Sequence, residues 1–186
     1  MTGAEVRTAL DQIGETVDAL RSQLDELRAS ATPATVAATR RISLPVPHGL
    51  FDDSVEYAEY LFGIPSMTVL IDGYNVTKEA QPDQPLDVQR DWLLQGLATL
   101  ASRHDARFEV VFDGADVAAP NRSPHDRVRH RFTPAGVEAD DDIIDSVASL
   151  DQTRPVTVVS SDRRVRDGAK AGGANVIHSR QLAALL

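Results

Sequence analysis

The sequence predicts an α/β fold of three layers, with helices on both faces of a mostly parallel central sheet. Two observations predict it. From residue 67 to the end, short apolar runs suited to strands alternate with longer stretches of helical period, as when a chain crosses back over its own sheet after each strand. Three of the runs, MTVLID, FEVVFD and PVTVVSSD, finish in an aspartate: Asp72, Asp113 and Asp162. Turn chemistry readily places one acid after a strand, as in Asp113-Gly114, but gives no reason to do so three times.

The elements follow in order. Residues 1–29 carry a heptad in which Val6, Leu10, Ile13, Val17, Leu20, Leu24 and Leu27 alternate in steps of four and three, the period of a coiled-coil seam. So narrow a stripe favours pairing with another helix, and hence a homo-oligomer. The alternative is an amphipathic helix packed on the domain. Residues 30–49 read as a linker, rich in Ala and Thr, with Pro33, Pro45 and Pro47 and no lasting apolar period. Residues 50–66 hold a helix leading into the domain, capped by Asp52, Asp53 or Ser54 and stopped by Gly63 and Pro65, with Val55, Ala58, Leu61 and Phe62 on one face.

The main domain spans residues 67–186. Its first strand is followed by a helix over 87–102, capped near Asp87, with Val88, Trp92, Leu93, Leu97 and Leu100 inward. After the second strand come a polar loop, a short exposed strand at 128–132 and a helix over about 139–150. The third Asp-ended strand leads to a helix over 163–171, closed by Gly172-Gly173, then a strand at 175–179 and a final helix.

Bulk properties exclude several classes. The chain has no cysteine, so disulfides, thiolate metal sites and cysteine nucleophiles are ruled out. The N-terminus lacks the apolar stretch of a signal peptide and no run is long enough to span a membrane; a cytoplasmic location is expected. A net charge of −9 over 186 residues argues against a surface coated in basic charge, leaving local basic strips to be read separately.

The acids carry the functional argument. In a parallel sheet the strand ends share one edge, where ligands bind. Asp72, Asp113 and Asp162 are therefore expected together. In GVEADDDII, Ile143, Ile144 and Val147 define a buried helix face, and Asp140 lies one turn earlier on that side. It should point to the same edge. Asp141 is a weaker candidate and Asp142 reads as solvated. Clustered carboxylates repel and call for a cation. Hard oxygen donors without Cys or a His pair suit Mg²⁺ or Mn²⁺, in one-metal or two-metal chemistry on phosphodiesters. Asp72, Asp140 and Asp162 are the expected metal ligands, with Asp113 ligating or orienting water. A haloacid-dehalogenase-type site would need an acid where Tyr74 stands. A dinucleotide-binding fold would need G-x-G-x-x-G after the first strand, which is absent.

LIDGYN (70–75), VVFDGAD (110–116), GVEADDDII (136–144) and SSDRRVRDGAKAGGANVI (160–177) together resemble the NYN domain family of the PIN-like nuclease superfamily, most closely its bacterial YacP-like branch. The resemblance covers about residues 66–186. It implies a PIN-like fold, Mg²⁺- or Mn²⁺-dependent ribonuclease activity and functional acids at Asp72, Asp113, Asp140 and Asp162. It also implies an auxiliary or substrate contact at Asn75 and a hydroxyl at Ser160 or Ser161 before the last acid. A link to RNA processing or translation makes tRNA, rRNA or ribosome-bound mRNA the expected partner.

An acidic protein that holds RNA needs local arginines. NRSPHDRVRHRF supplies Arg122, Arg127, Arg129 and Arg131, with His125 and His130, and begins shortly after Asp113. Arg163, Arg164, Arg166 and Lys170 follow Asp162. These clusters are expected to flank the acids, with Arg127, Arg129 and Arg163 on substrate; the alternative is a solvated surface. Tyr74 is the one aromatic beside the site, suited to stacking or to packing. A binding or ribosome-associated module without catalysis, dimerised by its heptad helix, is the competing function.

Overall fold

The computed structural model describes residues 12, 16, 17, 20, 21, 23, 40–114, 126–134 and 136–186. Its chain forms two units, residues 1–38 and 39–186. In the first, Gln12, Thr16, Val17, Leu20, Arg21 and Gln23 are helical and exposed. The other heptad residues lie outside the described set.

In the second unit Ser54, not Asp52 or Asp53, starts helix α1 (Val55–Phe62) by accepting from the Tyr57 amide at 3.2 Å. The remaining elements are β1 (Thr68–Asp72), α2 (Gly73–Ala80), α3 (Leu86–Arg103), β2 (Arg107–Phe112), β3 (Val128–Phe132), α4 (Ala139–Ser149), β4 (Val156–Val159), α5 (Arg163–Ala171), β5 (Asn175–Ile177) and α6 (Ser179–Ala183). The strands form one sheet in the order β3-β2-β1-β4-β5, with every neighbouring pair parallel. The expected three-layer α/β architecture is present, and the sheet is wholly parallel.

Strand alternation separates two apolar layers. Val69, Ile71, Phe108, Val110 and Phe112 pack with Leu61 of α1, Leu93 and Leu97 of α3 and Val76 of α2. Leu70, Val111 and Val158 pack on the other face with Ile143 and Val147 of α4 and Val165 of α5. All five residues of β1 are buried, which explains why its sequence is apolar without alternation.

Two local features differ from the sequence reading. Directly after Asp72 the chain enters α2, a helix absent from the sequence reading. Gly73 allows this close approach, because a Cβ there would sit 2.3 Å from the Phe112 ring. In α3 the expected inward Leu93, Leu97 and Leu100 are fully buried, but in the first turn Val88 is 46% exposed while Gln89 is 2% exposed. The Gln89 amide takes the inward place there, since it donates to the Gln81 and Gln84 carbonyls at 3.0 and 2.8 Å and closes the α2–α3 loop.

The later part of the segment read as a linker is bonded to the sheet unit. Leu44 exchanges hydrogen bonds with the Asn175 side chain at 3.0 and 2.8 Å. Arg41, 5% exposed, donates to the carbonyls of Val147, Leu150, Asp151 and Arg154 at 2.7 to 3.1 Å and to that of Gly172 at 3.4 Å. One guanidinium thus closes the end of α4 and the loop into β4, a use suited to its five donors. Gly173 is required beside it: at φ +78 its Cβ would fall 2.0 Å from the Arg41 carbonyl oxygen. Among the described residues no helix is long and apolar enough to cross a membrane.

Candidate active site

Each acid is held at the carboxyl edge of the sheet by local backbone logic. Asp72 is the N-cap of α2, with Oδ1 accepting from the Asn75 amide at 3.1 Å. Asp162 is the N-cap of α5, accepting from the Arg164 and Val165 amides at 2.7 and 3.2 Å. Asp113 accepts from the Ala139 amide at 2.6 Å, reaching across from the end of β2 to the first residue of α4. Asp140 lies in the first turn of that helix. Three helix N-termini therefore converge where the aspartates meet, and their partial positive charge offsets some of the repulsion.

Ser160 ties two of the acids together. Its hydroxyl donates to Asp72 Oδ2 at 3.1 Å and accepts from the Asp162 amide at 3.1 Å, and it is fully buried. At Ser161, expected to contact substrate, the amide donates to Asn75 Oδ1 at 2.8 Å and the hydroxyl to Glu79 at 2.9 Å. Asn75 Oδ1 also accepts from the Ser179 hydroxyl at 2.5 Å. Asn75 thus links α2, the end of β4 and the start of α6, and its oxygen is committed inside the fold. Glu79 and Ser179 were not legible as members of this group; the i, i+4 spacing of Asn75 and Glu79 on a helix was the available signal, hidden because α2 was not foreseen.

The electrostatics are those of an under-compensated acidic cluster. Asp72 is 6% exposed. Burial pushes its pKa up to about 6, against the Asn75 and Ser160 hydrogen bonds and with added repulsion from Asp140 and Asp113. Asp140 is also raised, first by burial and then by Asp162, with Arg164 opposing. Arg164 pairs with Glu138 at 3.2 Å, with Asp140 at 3.8 Å and with Asp141. Asp142, expected to be solvated, instead pairs with Arg131, which also reaches Glu109 at 3.2 Å and the Ser146 hydroxyl at 2.8 Å. Among the described residues no three acidic or histidine side chains already converge closely enough to hold an ion.

Only part of the expected basic flank is here. Arg163 stands beside Asp162, 93% exposed in its side chain and 3.4 Å from Asp167. Arg127 and Arg129 lie at the opposite, amino edge. Because β3 runs parallel to β2, pairing Val128 with Phe108, the chain must cross back before starting it. Proximity to Asp113 in sequence is undone by that crossing. Arg127 pairs there with Asp105 at 3.1 Å and donates to the His104 carbonyl at 3.1 Å. Arg122 and His125 lie outside the described residues. Tyr74 packs 5.0 Å from the Phe112 ring, and its hydroxyl accepts from Arg90 at 2.9 Å, which is the packing alternative.

A parallel sheet with acids gathered at its carboxyl edge, on caps of three helices, defines the PIN-like class of nuclease folds. The sequence matches the YacP-like NYN domain over residues 69–186, and the chain belongs to that family. Its fold is similar to crystal structures of Rae1 (YacP) from Bacillus subtilis. Against a tryptophan-to-leucine variant of that protein the identity is 26%, covering 63% of this chain and 72% of the other, with a TM-score of 0.54. Against Rae1 itself the identity is 26%, covering 63% and 71%, with a TM-score of 0.53. No curated protein matches the chain.

Proposed function

We propose that this chain is a metal-dependent ribonuclease that hydrolyses internal phosphodiesters of RNA, in RNA processing or translation-linked turnover in the cytoplasm. The observation that carries the reading is Asp72: a buried carboxylate, short of positive charge, at the meeting point of three further aspartates. Membership of a nuclease family supports it.

The donor set fits a hard divalent cation, because every candidate ligand is a carboxylate oxygen. Asp72, Asp140 and Asp162 would hold Mg²⁺ or Mn²⁺, and Asp113 would ligate it or orient a water. Such an ion supplies Lewis-acid activation of the phosphodiester and of water. The chain's own residues fix the geometry. Ser160 holds Asp72 and Asp162 in register, the Asn75 linkage keeps α2 and the β4 end together, and Arg164 balances the start of α4. Arg163, exposed beside the acids, would meet a substrate phosphate.

Pairing of two copies through the heptad helix belongs to the same proposal. Val17 and Leu20, both seam positions, are helical and 40% and 60% exposed.

The test is RNA cleavage in Mn²⁺, in EDTA, and by Asp162→Asn purified in parallel. Cleavage by wild type alone, lost in EDTA, supports the nuclease. RNA binding without any metal-dependent cleavage on several RNAs would instead assign the acids to a binding module.

A further inference from the structure

The displaced arginines are not scattered. At the amino edge of the sheet a cavity of about 460 Å³ opens beneath the end of α4, and Arg107, Arg127, Arg129 and Arg154 line it. These come from the first residue of β2, the two ends of the β3 entry and the loop before β4. Three acids share the wall: Asp105, Glu109 and Asp126. Asp105 pairs with Arg127, and Glu109 with Arg131 from outside the cavity, a guanidinium it shares with Asp142, so the lining stands at four arginines against three acids. Arg107, Arg129 and Arg154 are exposed; their backbones are bonded within the fold, but no guanidinium hydrogen bond or salt bridge ties their side chains to another described residue, and the Arg154 charge also helps to lower the Asp151 carboxyl. The cavity is thus net positive in a protein of net charge −9. Ser66 and Thr68 add hydroxyls to the same wall.

We propose that this cavity binds backbone phosphates of the RNA at a second place, remote from the cut. The inference rests on the ribonuclease reading for the identity of its ligand. Guanidinium groups in a concave wall match phosphate oxygens by paired hydrogen bonds, and hydroxyls add neutral donors. The one aromatic in the lining, Phe108, is 1% exposed and offers no face for base stacking, so the contact carries affinity and register, not sequence. The two sites are separated by the length of β1, Thr68 to Asp72, whose four steps span about 13 Å at roughly 3.3 Å each. An RNA that meets both must therefore extend beyond the nucleotides at the acids. A long or folded RNA gains from the cavity, and a tetranucleotide at the cut site does not.

The test is equilibrium binding of the full chain in Ca²⁺, read by fluorescence anisotropy, with a labelled tetranucleotide and a labelled hairpin RNA with single-stranded flanks. The variant is Arg107→Gln/Arg129→Gln/Arg154→Gln. Arg127 stays because it also bonds the Ala101 and His104 carbonyls, and a circular-dichroism melt confirms the fold. The expected result is about tenfold weaker hairpin binding, with the salt slope reduced by about two as three phosphate contacts are lost, and unchanged tetranucleotide binding. Unchanged hairpin binding, or equal losses for both RNAs, overturns the proposal. Failure of the ribonuclease reading is seen separately, as absence of metal-dependent cleavage in wild type.

Discussion

At the carboxyl edge of the sheet four aspartates lie within electrostatic reach of one another, one of them 6% exposed. At the amino edge four arginines line an open cavity, and their side chains stand in solvent. The edges differ in how they are built. Each acid is short, and Asp72, Asp113 and Asp162 are fixed by backbone amides of helix starts. The arginines are long and placed by where strands begin, with no rigid frame around three of them. Fixed groups suit chemistry, which tolerates little misplacement. Flexible cations suit phosphate affinity, which tolerates a great deal.

The largest expected effect separates the two edges by function. On the proposed metal-site reading, Asp72→Asn should lower cleavage by a factor on the order of a hundred or more, while RNA binding in Ca²⁺ should stay within about threefold, since the proposed phosphate contacts are made by arginines away from Asp72. A parallel loss of binding and cleavage would merge the two edges into one site.

Next comes the frame of the amino edge. Arg41→Ala leaves buried carbonyls without donors and should lower stability by about 3 kcal/mol or more, read as a fall in the urea midpoint. Arg41→Lys should recover part of it. An unchanged midpoint would mean that water replaces the guanidinium.

The burial of Asp72 at the acidic edge, with repulsion from Asp140 and Asp113 added, has a pH signature. Asp72 has a raised folded-state pKa of about 6 against 3.8 unfolded, so the folded state holds this proton more tightly. Its ionisation therefore costs stability as pH rises from about 4 through 6, and the cost is full above that. The shift corresponds to about 3 kcal/mol. In EDTA at pH 7.5, Asp72→Asn should melt higher than wild type, and the gap should close toward pH 4. Wild type melting higher than the variant throughout would show that the carboxylate is already compensated. Mn²⁺ should raise the wild-type Tm more than that of the variant.

The smallest effect is expected at Arg163. Its side chain is 93% exposed, so Arg163→Gln should weaken RNA binding by only about two- to threefold. A much larger loss would give the acidic edge a rigid phosphate clamp of its own.

The gathering of the acids was legible because it depends on strand ends, and strand ends are marked by where apolar runs stop. Asp140 was legible through helical spacing with Ile143. What sequence could not supply was direction. Arg127 and Arg129 follow Asp113 closely, yet the crossing that makes β3 parallel carries them the length of the sheet away. Asp142 lacked any sequence signal of its partner, since Arg131 meets it only through the packing of α4 on β3. Helix α2 was missed because GYNVTKEA has no lasting apolar stripe; only Gly73, Val76 and Thr77 are buried.

Arg41 ties chain upstream of the family match into the same compact unit as the sheet. The match to the family begins at residue 69, but the guanidinium that closes α4 and the loop into β4 enters from 28 positions upstream. Leu61 and Phe62, both fully buried, also precede the match. A fragment cut at the family boundary would open a hydrophobic face and leave a ring of carbonyls unanswered, whereas one beginning at residue 40 keeps both closed. Homology here marks the ancestry of a segment, and the buried arginine shows that the packed unit reaches further upstream than that segment.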